Sequence, residues 1–139
     1  MRENIGLFKA KEAVNKDWVE GYFYKAPHPI TGFPVDYICS TTFNENTETW
    51  EVKVDIIDPE TLCEFTGLTD KNGNKIWENN IVKHCAENKP ALVEFVKGQF
   101  SIAKYGYWLP SSDCFEVIGN KFDNPELLEV KNDNNKSNI

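Results

Sequence analysis

The chain has 139 residues and a mass of 16.0 kDa, with 40% apolar and 27% charged side chains, which suits one ordinary domain or two very small ones. Fifteen Lys plus Arg against 22 Asp plus Glu leave a net charge of −7, and Arg2 is the single arginine. That balance excludes a surface built throughout to grip phosphates, and it leaves almost no planar fork for bidentate reading of a guanine edge.

The opening MRENIGLFKAKEAVNKDWVE is charged throughout and lacks a signal-peptide core, and no window approaches the roughly 18 apolar residues of a membrane span. We therefore expect a cytoplasmic protein with no membrane partner. WVEGYFYK at 18–25 predicts a strand with Trp18, Tyr22 and Tyr24 on one parity, and Glu20 with Gly21 suggests an edge or a bulge. APHPITGFP at 26–34, with three prolines, predicts a surface connection. VDYICSTTF at 35–43 and ETWEVKVDII at 48–57 read as an antiparallel pair across NENT. In the second of them Trp50, Val52, Val54 and Ile56 alternate with Glu51, Lys53 and Asp55, the clearest period-2 pattern in the chain.

Asp58-Pro59-Glu60-Thr61 has the order of an N-cap, a first-turn proline and an acid, so Asp58 and Pro59 should start a one-turn helix. In GLTDKNGNKIW, Asn72 and Gly73 predict a type I′ hairpin, whose two central residues both take positive φ. IVKHC, ALVEFVK, QFSIAKY, YWLP and FEVIGNKF then supply five short strands between 81 and 122, with reversals at Gly98 and Gly106. This density suits a small, partly open barrel of the SH3-like kind. Asn124-Pro125-Glu126 should open a closing short helix, and the polar 131–139 should be a disordered tail. The fold class is thus mainly β: an N-terminal antiparallel region over 1–78, and an SH3-like barrel with its closing helix over 79–130.

IIDPETLCEFTGLTDKNGNKIWENNIVK at 56–83, followed by FEVIGNKFDNPELLE at 115–129, resembles the YopX-like family of phage and prophage proteins. The family's blocks appear in order: a DPET turn, a TGL-D-NG hairpin, an acidic-aromatic step before an IV strand, and a closing VIGN-NPELL. Asn79-Asn80 stands where the family usually has Gly-Asp, a mild change because Asn tolerates the left-handed conformation. LFKAKEAVNKD matches the family's opening segment poorly. The resemblance implies an SH3-like barrel, a phage or prophage gene, a bacterial host cell, and no catalytic residues. Ile118 and Leu127 then read as core.

The sharper chemistries find little support. Asp70, Asn72 and Asn74 fall at alternate positions as in a calcium loop, but the glycine comes fourth rather than sixth and the twelfth-position Glu is missing. His84 beside Cys85 reads as a divergent pair, since strand neighbours point to opposite faces. Cys39, Cys63, Cys85 and Cys114 form no CxxC pair, and we expect buried thiols, no disulfide, no metal and no cofactor. With two histidines and no Gly-rich phosphate loop, an enzyme is not expected.

Two functions follow. The first is a non-enzymatic module that binds itself or another protein, with Lys104, Tyr105 and Tyr107 as candidate partner-binding residues. The second is a weak nucleic-acid-binding barrel using Lys71, Lys75, Lys83, Lys97 and Lys104. Residues 1–69 hold 6 cations and 12 anions, net −6, and carry more large apolar groups than one small sheet covers, so we expect homo-oligomers.

Overall fold

The computed structural model describes residues 6–86, 89–102, 107–108 and 114–129. The described chain is mainly β, with only short 3-10 turns as helical structure, and it divides into two compact units, Met1–Phe65 and Thr66–Ile139.

In the first unit, β1 (Leu7–Lys11), β2 (Trp18–Pro27), β3 (Pro34–Asn44), β4 (Thr49–Ile56) and the start of β5 (Cys63–Thr69) form an antiparallel sheet in the order β4-β3-β2-β1-β5. Ala10 and Ile38 are fully buried on one face with Ile57, and Phe8, Val19, Phe23 and Leu62 pack against them. β1 lies in the segment that matched the family poorly. Its lysines hide its alternation, and Lys9 spends its charge over the Trp18 ring at 4.6 Å. β2 runs through Pro27, so the connection shrinks to residues 28–33, closed by the His28 N–H donating to the Phe33 carbonyl at 2.8 Å.

Gly21 marks neither an edge nor a bulge. It is a buried residue of an inner strand, and the ladder with β3 begins only at Tyr22↔Cys39. The DPET block behaves as expected and adds a tie. Asp58 Oδ1 accepts from the Glu60 N–H at 3.0 Å over the 3-10 turn Pro59–Thr61. Thr61 Oγ1 donates to the Asp58 carbonyl at 2.7 Å and accepts from the Lys11 N–H at 2.8 Å, holding the turn to β1.

In the second unit, β6 (Lys75–Trp77) pairs with the end of β5. A second sheet runs in the order β10-β9-β8-β7-β11, from β7 (Asn80–His84), β8 (Pro90–Val96), β9 (Gln99–Ile102), β10 (Tyr107–Trp108) and β11 (Phe115–Asn120). This open antiparallel arrangement is compatible with the partly open barrel expected. Its core is Ile76, Val82, Ala91, Val93, Ile102 and Phe115. The units divide after Phe65 rather than after residue 78, because the β5–β6 hairpin belongs with the second core. Thr66 Oγ1 donates to the Ile76 carbonyl at 2.6 Å, and the Lys71 N–H donates to the Phe115 carbonyl at 3.1 Å.

The hairpin turns at Asn72-Gly73, but not as a type I′ turn. Gly73 alone has positive φ, +85°, and its N–H donates to the Asp70 carbonyl at 3.0 Å, the form of a type I turn followed by a left-handed residue. The pair of positive φ values sits instead at Lys97 (+52°) and Gly98 (+82°), between Val96 and Gln99. Asn79 is left-handed at φ +72°, as the family's glycine would be, and the buried Asn80 accepts from the Trp77 N–H at 2.8 Å. Gly73→Val should therefore cost about 1–2 kcal/mol through φ strain alone, since open space surrounds that position. Asn79→Gly should stay within about 0.5 kcal/mol of neutral. Urea unfolding of both variants measures the difference.

The closing 3-10 turn, Pro125–Leu128, forms after Asn124, but Asn124 does not cap it. Its Oδ1 turns back to accept from the Asn120 N–H at 3.2 Å, over a site where any side chain at residue 119 would collide with it. Glycine in VIGN and asparagine in NPELL are thus two halves of one contact. Ile118 and Leu127 are half-buried rather than core: Ile118 lies on β11, an outer strand whose register shifts between Val117 and Gly119, and Leu127 lies in the closing turn, which buries no residue.

Candidate functional site

The first unit carries an uncovered apolar face. The β2–β3 and β3–β4 registers place Tyr22 and Tyr24, then Tyr37, Cys39, Thr41 and Phe43, then Trp50, Val52, Val54 and Ile56 on one side of the sheet, opposite the core. None of them is charged. Trp50 is 70% exposed, Val52 66% and Phe43 47%. The parity that sequence reading singled out in β2 and β4 is therefore the outer one. The core face of β2 is the less conspicuous Val19, Gly21 and Phe23.

Local chemistry sets this register. Asn44 Oδ1 accepts from the Asn46 and Thr47 N–H groups at 2.9 and 3.3 Å, and Glu48 takes φ +57°, which closes the loop with Asn44 opposite Thr49. Phe43 then meets Trp50 edge-on at 5.2 Å, and Tyr24 stacks on Tyr37 at 5.1 Å. At the Tyr24 end, a pocket of about 350 Å³ opens between Tyr37, Val54, Ile56, Pro27 and His28. His28 shapes that wall: its Nδ1 accepts from the Ile30 and Thr31 N–H groups at 3.1 and 3.3 Å. β4 is the last strand in the order of the described sheet, and its outer edge is met at its far end, where Glu12 bridges Ile57 and the Ala13 N–H donates to the Ile56 carbonyl at 2.9 Å.

The candidate residues named from sequence fall elsewhere. Lys104 and Tyr105 lie outside the described residues, as do the side chain of Tyr107 and the 131–139 tail. Asp58, Pro59, Asn72 and Gly73 hold turns. Asp70, set aside with the calcium comparison, is the buried hub of the hairpin. Its carboxylate accepts from the backbone N–H groups of Asn72, Asn74 and Val117, each at 2.9 Å. Burial alone would raise its pKa, but these N–H donors outweigh burial and hold the carboxyl below the usual aspartate range.

The divergence expected of His84 and Cys85 does not occur. β7 ends at His84, so Cys85 lies in a turn where strand alternation no longer applies. Cys114 comes across from the start of β11, and one ligand atom from each of the three residues lies within 4.8 Å of the others. Cys85 is exposed and Cys39 and Cys114 are half-buried, so only Cys63 is the buried thiol expected.

No helix among the described residues is long and apolar enough to cross a membrane. None of the curated proteins matches the chain. The family model described as YopX protein matches residues 8–129, which takes in every block that carried the resemblance, from the DPET turn and the Asp70 hairpin to the Gly119–Asn124 contact, and the chain belongs to the YopX family.

Proposed function

We propose that this chain is a non-enzymatic interaction module, phage- or prophage-encoded and working in the cytoplasm of a bacterial host, that assembles with copies of itself through the outer face of β2–β4. The observation that carries this reading is an apolar face, uncharged over β3 and β4 and bordered by Glu20 of β2, in a unit with 6 cations and 12 anions. A basic partner would be drawn to the unit's charge but would meet only Glu20, at the border of the face. A second copy docked over β3 and β4 meets no like charge there, and isologous contact needs no other surface.

A twofold axis beside Lys53 would set Trp50 of one copy against Ile56 and the adjoining pocket of the other. Polyanion binding is less well supported, since Lys71 and Lys83 both approach Glu116, at 3.7 and 4.0 Å. Light scattering after size exclusion at micromolar concentration tests the reading. The expected mass is twice the 16.0 kDa of one chain or a higher multiple, and a clean 16.0 kDa species would reject it. Retention on heparin at low salt would favour the polyanion reading instead.

A further inference from the structure

In the second unit, the pairing of β7 with β11 ends at Phe115↔His84, and one step further Cys85 stands opposite Cys114. The Cys85 N–H donates to the Cys114 carbonyl at 2.7 Å, which holds the two cysteines together just beyond the end of the ladder. His84 rests edge-on against the fully buried Phe115 at 5.0 Å, which fixes its ring beside them.

We propose that His84, Cys85 and Cys114 form a zinc site, independent of the self-assembly proposed above. Two thiolates and an imidazole are the donor set that favours zinc over magnesium, calcium or manganese. Zn–S bonds of about 2.3 Å put two sulfurs about 3.8 Å apart in a tetrahedron, so ligand atoms already within 4.8 Å need draw in by only about 1 Å. Cys85 is exposed, so loss of its thiol proton and arrival of the metal need no opening of the core. Nδ1 of His84 accepts from the Ala86 N–H at 3.0 Å. If His84 coordinates through Nδ1, that amide turns to solvent, a small change because Ala86 is exposed. Three protein ligands leave the fourth position to water, and the ion would pin the end of the β7–β11 ladder where the chain leaves the sheet.

Cobalt titration of the reduced, metal-stripped full chain tests the site, with zinc as competitor. One Co²⁺ per chain should bind with a thiolate-to-cobalt charge-transfer band, and zinc should displace it. Cys85→Ser, Cys114→Ser and His84→Gln should each weaken binding by more than about tenfold, whereas Cys39→Ser should not. Because Cys85 is exposed, its variant loses a ligand without losing packing, and an unchanged far-UV spectrum confirms that. Absence of the band, or a band that survives in Cys85→Ser, would overturn the proposal. So would a Cys85–Cys114 disulfide in chain freshly isolated from cytosol.

Discussion

Asp70→Ala is expected to destabilise the second unit by about 3–5 kcal/mol, enough to unfold a marginal domain. Asp70 is 5% exposed, and its carboxylate answers three backbone N–H groups from two segments far apart in sequence. With the side chain gone, the Asn72 and Asn74 amides can turn to water because both residues are exposed. The half-buried Val117 amide cannot do so freely, and an unmet buried donor costs about 1–3 kcal/mol in addition to the lost charge-assisted bonds. Asp70→Asn keeps one acceptor but aims an amide NH₂ at the remaining donors, so it should fall between wild type and alanine. Urea unfolding of the three proteins measures the order.

The same site makes a pH prediction. Asp70 titrates below the ordinary aspartate range when folded, so near that range the unfolded chain binds more protons than the folded one. Its contribution is fully present above a pH of about 4 and is lost as the pH falls through the lowered folded value. Wild-type stability should therefore decline more steeply on acidification than that of Asp70→Asn, and parallel curves would contradict the assignment.

Gly21→Ala is expected to cost about 3 kcal/mol in the first unit. A Cβ there would run into the Cys39 carbonyl oxygen, and it would lie 2.8 Å from the Cys39 carbonyl carbon and 2.9 Å from Ile38 Cγ2. Backbone atoms of β3 cannot rotate aside, so β2 and β3 would have to separate beside the core residue Ile38. Gly73, by contrast, has open space around it. Hydrogen exchange should show β2 and β3 amides losing protection in Gly21→Ala while the second core keeps its own.

These effects show which parts of the fold short-range pattern reveals. The strands, the DPET turn and the Asp70 hairpin follow from alternation, capping chemistry and an Asn-Gly pair, all local properties. Period 2 says that the two faces of β4 differ, but not which one is covered. Trp50, Val52, Val54 and Ile56 look like a core stripe, yet the small residues Ala10 and Gly21 let the opposite face close instead. Asp70 escaped for a similar reason: its most distant donor, Val117, lies 47 residues away, and no spacing rule links them. His84 and Cys85 were separated by an alternation that stops one residue too early, and Cys114 enters only through the register of β11.

The self-assembly account is tested most directly on β4, where neighbouring side chains point to opposite faces. Light scattering would compare wild type with the double variant Trp50→Asp, Val54→Asp and with the control Glu51→Gln, Lys53→Gln. Trp50 and Val54 are exposed in the single chain, so charge there should leave the fold intact while opposing any contact between copies of that face. The account predicts a multiple of 16.0 kDa for wild type and control and 16.0 kDa for the double variant. A double variant with the same mass as wild type would contradict it.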